Sequence, residues 1–150
     1  MKYVRKGMKK KKNMKIMLDT NILVFAGVFN SEYIRKFIKA AVDKNHSIVL
    51  CSYVINELYS VINRKFPSKI ESLNKFFSEL EYDYIETPDI LPEHGMFTIR
   101  DKKDEKVLYS AILADVDILI TGDKDFSDIK IKRPEIYTPA EFLEKYADSI

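Results

Sequence analysis

The sequence predicts an α/β fold: a three-layer α/β/α sandwich around a central, mainly parallel sheet of four to five strands. Short β-rich runs alternate with segments of helical periodicity along the chain. Strands separated in this way need right-handed crossover helices, which cover both faces of a parallel sheet. The length of 150 residues, without internal repeats, suits one domain with a substantial core.

The elements follow in order. IMLD (16–19) is a buried strand that runs straight into a carboxylate. Ile34, Phe37, Ile38, Ala41 and Val42 recur at helical spacing and mark a helix over about 31–44. SIVLCS (47–52) is a second strand, and Val54, Ile55, Leu58, Tyr59 and Ile62 mark the helix after it. Pro67 and a capping-box pair, Ser68 and Glu71, predict a helix with Leu73, Phe76, Phe77 and Leu80 inward. YDYIE (82–86) is a third strand, followed by a connection punctuated by Pro88, Pro92 and Gly95. A helix over about 104–115 leads to the strand DILIT (117–121). The strand EIYT (135–138) and a helix capped by Thr138, Pro139 and Glu141 close the chain.

Composition narrows the class. Hydrophobic residues at 46% and charged residues at 32% describe a folded globule rather than a disordered chain. The lone Cys51 forms no internal disulfide, and no apolar run is long enough for a membrane span, so a soluble cytoplasmic protein is expected. The leader 1–13, MKYVRKGMKKKKN, carries seven bases and no acid, which leaves 18 bases against 23 acids in 14–150, a net of −5. The leader is expected to be a solvated, disordered arm, with an RNA-phosphate tether as the functional alternative. The folded part is acidic, and where its acids fall matters.

In an open parallel sheet, ligands bind beyond the carboxyl ends of the strands. Asp19 stands at the end of the first strand, Glu57 follows the second within about two helical turns, and Asp123 and Asp125 follow DILIT directly. Asp101, Asp104 and Glu105 arrive at the start of the 104–115 helix. With Val107, Leu108, Ala111 and Ile112 as the inward stripe, Asp104 falls near its centre and Glu105 about a quarter turn away. Taken singly, each acid has a plain structural explanation as a helix cap or a turn residue. Together, four elements bring carboxylates to one rim, where two of them about 4 Å apart repel by about 4 kcal/mol at an effective dielectric of 20. A hard divalent cation resolves that repulsion, and oxygen-only ligands favour Mg2+ or Mn2+ over zinc. His46 and His94 stand apart from the acids and are expected to be surface or satisfied histidines, and Cys51 a small core residue.

LDTN (18–21), NEL (56–58), RDKKDEKVLYSAILADVDILITGDKDF (100–126) and the closing YTPAEFLEKY resemble the PIN-domain ribonucleases. Within them, the likeness is to the VapC-type toxin components of type II toxin–antitoxin pairs. The resemblance implies a PIN domain over 14–150 that cleaves RNA with Mg2+ or Mn2+. It places the family's acids on Asp19, Glu57, Asp104 and Asp123, with Glu105 as the alternative third acid and Asp125 as an auxiliary ligand. Substrate-side positions fall on Thr20, Asn21 and Thr121, and Lys102, Lys103, Lys106 and Lys124 are the candidates to hold flanking phosphates around the groove. A small antitoxin covering the acidic groove and a homodimer are the implied partners; RNA processing or decay, or a non-catalytic scaffold, are the alternative uses. A haloacid-dehalogenase-like phosphotransfer site fits poorly, because the second acid it needs two residues after Asp19 is Asn21.

Overall fold

The computed structural model describes residues 13–89, 102–123, 126 and 129–146. The basic leader up to residue 12, Pro92, His94, Gly95, Asp101, Lys124 and Asp125 lie outside the described residues. Five strands, β1 (Lys15–Leu18), β2 (Ser47–Cys51), β3 (Asp83–Ile85), β4 (Ile118–Ile120) and β5 (Glu135–Tyr137), form one sheet in the order β3-β2-β1-β4-β5. Every pairing among the described residues is parallel, in keeping with the expected mainly parallel sheet.

The strand order decides where ligands fit. From β1 the chain crosses outward to β2 and β3 on one side, whereas β4 and β5 lie on the other. Connections diverge at the β1–β4 pair, and a crevice opens beyond the carboxyl ends of such strands. Met17 pairs with Leu119 and Leu18 with Ile120, and Asp19 N–H continues the ladder by donating to Ile120 O at 3.0 Å. Asp19 is thereby delivered to the crevice.

Helices cover the sheet: α1 (Thr20–Gly27), α2 (Glu32–Asp43), α3 (Ser52–Lys65), α4 (Ile70–Glu79), α5 (Lys102–Leu113) and α6 (Pro139–Lys145). The stripe Ile34, Phe37, Ile38 and Ala41 of α2 is buried, as its spacing predicts. α1 has no such signature, because TNILVFAG is apolar nearly all round. It packs tightly on α4: a Cβ added to Gly27 would come within 3.1 Å of both Leu73 and Phe76. The capping box expected at Ser68 and Glu71 does not form. Pro67 instead opens a 3-10 turn over Pro67–Lys69, and α4 starts at Ile70 without a side-chain cap. The Thr138–Glu141 capping box of α6 is present, with Thr138 Oγ1 accepting from Glu141 N–H and Glu141 Oε1 from Thr138 N–H.

Core side chains sit on both faces of the central strands, with Ile16, Met17, Leu18, Leu50 and Ile118 fully buried. Cys51 belongs to this core. His46 is buried and satisfied, its Nδ1 accepting from Met14 N–H at 3.0 Å. No helix among the described residues is long and apolar enough to cross a membrane.

Candidate active site

Asp19 plays two parts. It is the N-cap of α1, its Oδ1 accepting from Thr20 N–H at 2.7 Å, as its plain structural reading expects. Its Oδ2 accepts from Thr121 Oγ1 at 2.7 Å, a bond between residues 102 apart in sequence. Only 5% of the side chain is exposed. Burial pushes the Asp19 pKa above the ordinary value of 3.8; the charges of Glu57 and Asp123 push the same way, against the hydrogen bonds from Thr121 and Thr20. A cap alone needs no second and third acid beside it.

Thr20 joins the first acid to the second, since its N–H serves Asp19 while its Oγ1 donates to Glu57 Oε1 at 2.7 Å. Glu57 Oε2 accepts from Tyr53 OH at 2.9 Å, so both carboxylate oxygens are oriented. Thr121 performs the matching task across the crevice: its Oγ1 donates to Asp19 and accepts from Asp123 N–H at 3.0 Å. Two threonines therefore hold three acids in mutual register. Tyr53 was not singled out by sequence reasoning, although its spacing of four from Glu57 on one helix is the signal that finds it.

The third acid arrives on α5. Asp104 is buried and Glu105 half-buried, as the helical phase predicts. Asp104 sits in the first turn of α5, where the positive helix end favours a carboxylate. A polar chain fixes α5 against α3. Thr87, just past β3, donates its N–H to Ser52 Oγ and accepts from Tyr53 N–H through Oγ1, which also lies 3.0 Å from Ser110 Oγ.

One cavity of about 150 Å³ is lined by Asp19, Thr20, Asn21, Glu57, Lys103, Asp104, Val107 and Asp123. All four predicted acids, and the substrate-side candidates Thr20 and Asn21, thus share one small space. Thr121 stands behind it, buried and engaged with Asp19 and Asp123. Among the described residues, no three of the acids lie close enough together to grip one ion as they stand. The donor chemistry nevertheless fits a hard cation. The lining is rich in carboxylates, and each oxygen of Asp19 and Glu57 that accepts one hydrogen bond keeps a further lone pair.

The profile of the PIN domain matches residues 15–125 of the chain. Among solved structures, the chain resembles one from VapBC2 of Rickettsia felis, crystallised bound to a DNA fragment from its promoter. The TM-score is 0.62 at 20% identity, over 83% of this chain and 97% of that one, a likeness of fold. No curated protein matches the sequence.

Proposed function

The chain belongs to the PIN-domain family of nucleases, and we propose from that premise that it is a divalent-metal-dependent endoribonuclease, the toxin of a toxin–antitoxin pair. The observation that carries this reading is the convergence of Asp19, Glu57, Asp104 and Asp123, from four separate stretches of chain, on one cavity. Burying an acid among acids is unfavourable in the metal-free protein, as the raised pKa of Asp19 records. A bound cation would offset this cost.

Those four side chains, with Asp125 as an auxiliary, would hold Mg2+ or Mn2+. Bound there, the ion supplies charge neutralisation at the scissile phosphate and a lowered pKa for the attacking water. The remaining work falls to the chain. Thr20 and Thr121 orient the acids, and Tyr53 fixes the outer oxygen of Glu57. Lys103 brings positive charge to the cavity wall, where a phosphate flanking the cut would pass. The exposed Asn21 offers an amide to the sugar–phosphate backbone at the mouth.

The toxin assignment leans on the fold likeness to a VapBC2 chain and on a surface suited to a protein partner. Phe25, Phe29, Tyr33 and Phe66 are all exposed, and the Phe29 ring meets those of Phe25 and Phe66 at 6.4 and 5.7 Å. An antitoxin segment or a second copy of the chain would bury these rings. The nuclease reading is tested by stripping the protein of metal and assaying a broad RNA panel before and after Mn2+ is restored. Cleavage only with metal supports it; cleavage without metal, or none in either state, overturns it.

A further inference from the structure

Beside the acidic cavity lies a second hollow of about 320 Å³, beyond the ends of β4 and β5. Asp123 lines both spaces. From the nuclease reading on which this rests, we infer that the hollow seats a nucleobase of the RNA, next to the bond cut in the acidic cavity, and that Glu141 favours a base bearing paired N–H donors.

The walls decide the class of ligand. Phe126, Ile129, Ile131, Pro134 and Ile136 form an apolar lining, and the volume lies within the range of pockets that take small planar ligands. A base has an apolar face that gains by leaving water for such a wall, whereas a ribose or phosphate does not. Among the described residues, the charged groups that line it, Asp123 and Glu141, are acids that repel phosphate and accept hydrogen bonds. Glu141 Oε1 holds the Thr138 N–H, but a carboxylate has about four acceptor sites, so most of its capacity remains. Guanine presents N1–H and N2–H side by side and suits such an acceptor. Uracil flanks its one N–H with two oxygens and does not.

Gly122 supplies an independent sign. It lines the hollow immediately before Asp123, is exposed, and among the described residues would meet nothing within 4 Å if it carried a Cβ. Its backbone needs no positive φ. Among the described residues neither packing nor conformation demands a glycine, whereas a larger side chain would stand at the wall of the hollow, beside Asp123.

The test follows isoleucine methyl signals of the full-length chain by NMR, with Mg2+ present, as GMP, UMP or ribose 5-phosphate is added. The methyls of Ile129, Ile131 and Ile136 are expected to shift with GMP and more weakly with UMP, and to stay still with ribose 5-phosphate. Gly122→Leu and Ile131→Trp, checked for native dispersion, should each weaken GMP binding about tenfold, the scale of one stacked base. Glu141→Gln, which a capping box accepts, should erase the preference for GMP over UMP. Equal shifts from ribose 5-phosphate, or none from either nucleotide, overturn the base seat; UMP binding as tightly as GMP overturns the role of Glu141. In parallel, RNA made abasic at single positions should lose about tenfold in kcat/KM when the gap lies beside the cut. Base-dependent methyl shifts without any RNA cleavage would sink the nuclease reading alone, and cleavage indifferent to abasic gaps would sink this inference alone.

Discussion

Two carboxylate clusters on this sheet have been treated in opposite ways. At β5 and α6, Glu135 accepts hydrogen bonds from Lys145 Nζ, Tyr137 OH and Tyr146 OH, the tyrosines at 2.6 Å each. Lys145 also lies over the rings of Tyr137 and Tyr146, at 5.3 and 5.4 Å. Burial acts to raise the Glu135 pKa, but these bonds and the Lys145 charge outweigh it and leave the group below its ordinary value. At the β1–β4 crevice, the donors to Asp19 among the described residues are the neutral Thr20 N–H and Thr121 hydroxyl, and burial, with the charges of Glu57 and Asp123, moves its pKa up. The first cluster is electrostatically complete and fastens a helix to an edge strand. The second gathers carboxylates from four elements in one cavity with Lys103 on its wall, an arrangement that a bound cation would complete.

The comparison is broken most severely at Asp19. Asp19→Asn keeps the cap acceptor for Thr20 N–H but removes the charge, and Mn2+-dependent RNA cleavage should fall by at least about a hundredfold. That is the upper end of what is lost when merely a supporting partner of a metal ligand is removed. Single-turnover assays at saturating Mn2+ measure it, and retained activity would place the cation elsewhere. Thr121→Val comes next. It deletes the hydroxyl that joins Asp19 to Asp123, and a loss of about tenfold is expected, the lower end for such a supporting contact. Excess Mn2+ should restore part of that activity, because the acids remain; no response to metal would mean that the threonine acts in packing alone.

A third consequence concerns stability. Because the Asp19 pKa is raised in the fold, its charge destabilises the metal-free protein above that raised value, and stability falls as pH climbs from the ordinary 3.8 through it. In EDTA at neutral pH, Asp19→Asn should therefore melt higher than the wild-type chain. Adding Mg2+ should raise the wild-type Tm and leave the variant unmoved. A variant that melts lower in EDTA would mean that the carboxylate is a structural anchor after all.

Much of this contrast is legible in the sequence, for reasons that can be named. Asp19, Glu57 and Asp123 could be placed because a parallel sheet sends its strand ends to one edge. Asp104 could be chosen over Glu105 because helical phase is geometric, and the structure buries Asp104. The helix α1 is not legible, since TNILVFAG is apolar on its exposed positions, such as Phe25, as well as its buried ones and so shows little periodic contrast. The capping box at Ser68 does not form for a different reason: Pro67 opens a 3-10 turn that takes up Ser68 before α4 begins, while Glu71 lies in the first turn of α4. The supporting roles of Thr20, Thr121 and Tyr53 depend on side-chain directions across 37, 102 and four residues of sequence. Only the last of these is local enough for a spacing rule to find. The Glu135 cluster escaped as well, because its members look like ordinary charges and aromatics until β5 and α6 are docked.

That second cluster gives the smallest and most diagnostic effect. A depressed carboxylate stabilises the fold above its unfolded pKa, and that contribution is lost as pH falls through the folded value. For Glu135 the window therefore begins near the ordinary 4.5 and extends downward, the reverse of the Asp19 slope over neighbouring pH. Glu135→Gln should cost about 1 kcal/mol or less at neutral pH, discounted because Lys145 is half exposed to solvent. The loss should vanish as the wild-type Glu135 protonates. Urea melts from pH 7 to pH 3 resolve this most cleanly in the Asp19→Asn background, where the opposing slope is gone. RNA cleavage by Glu135→Gln alone should match the wild-type chain; a large fall in activity would show that the brace and the crevice are coupled through β4 and β5, and that the division between them is false.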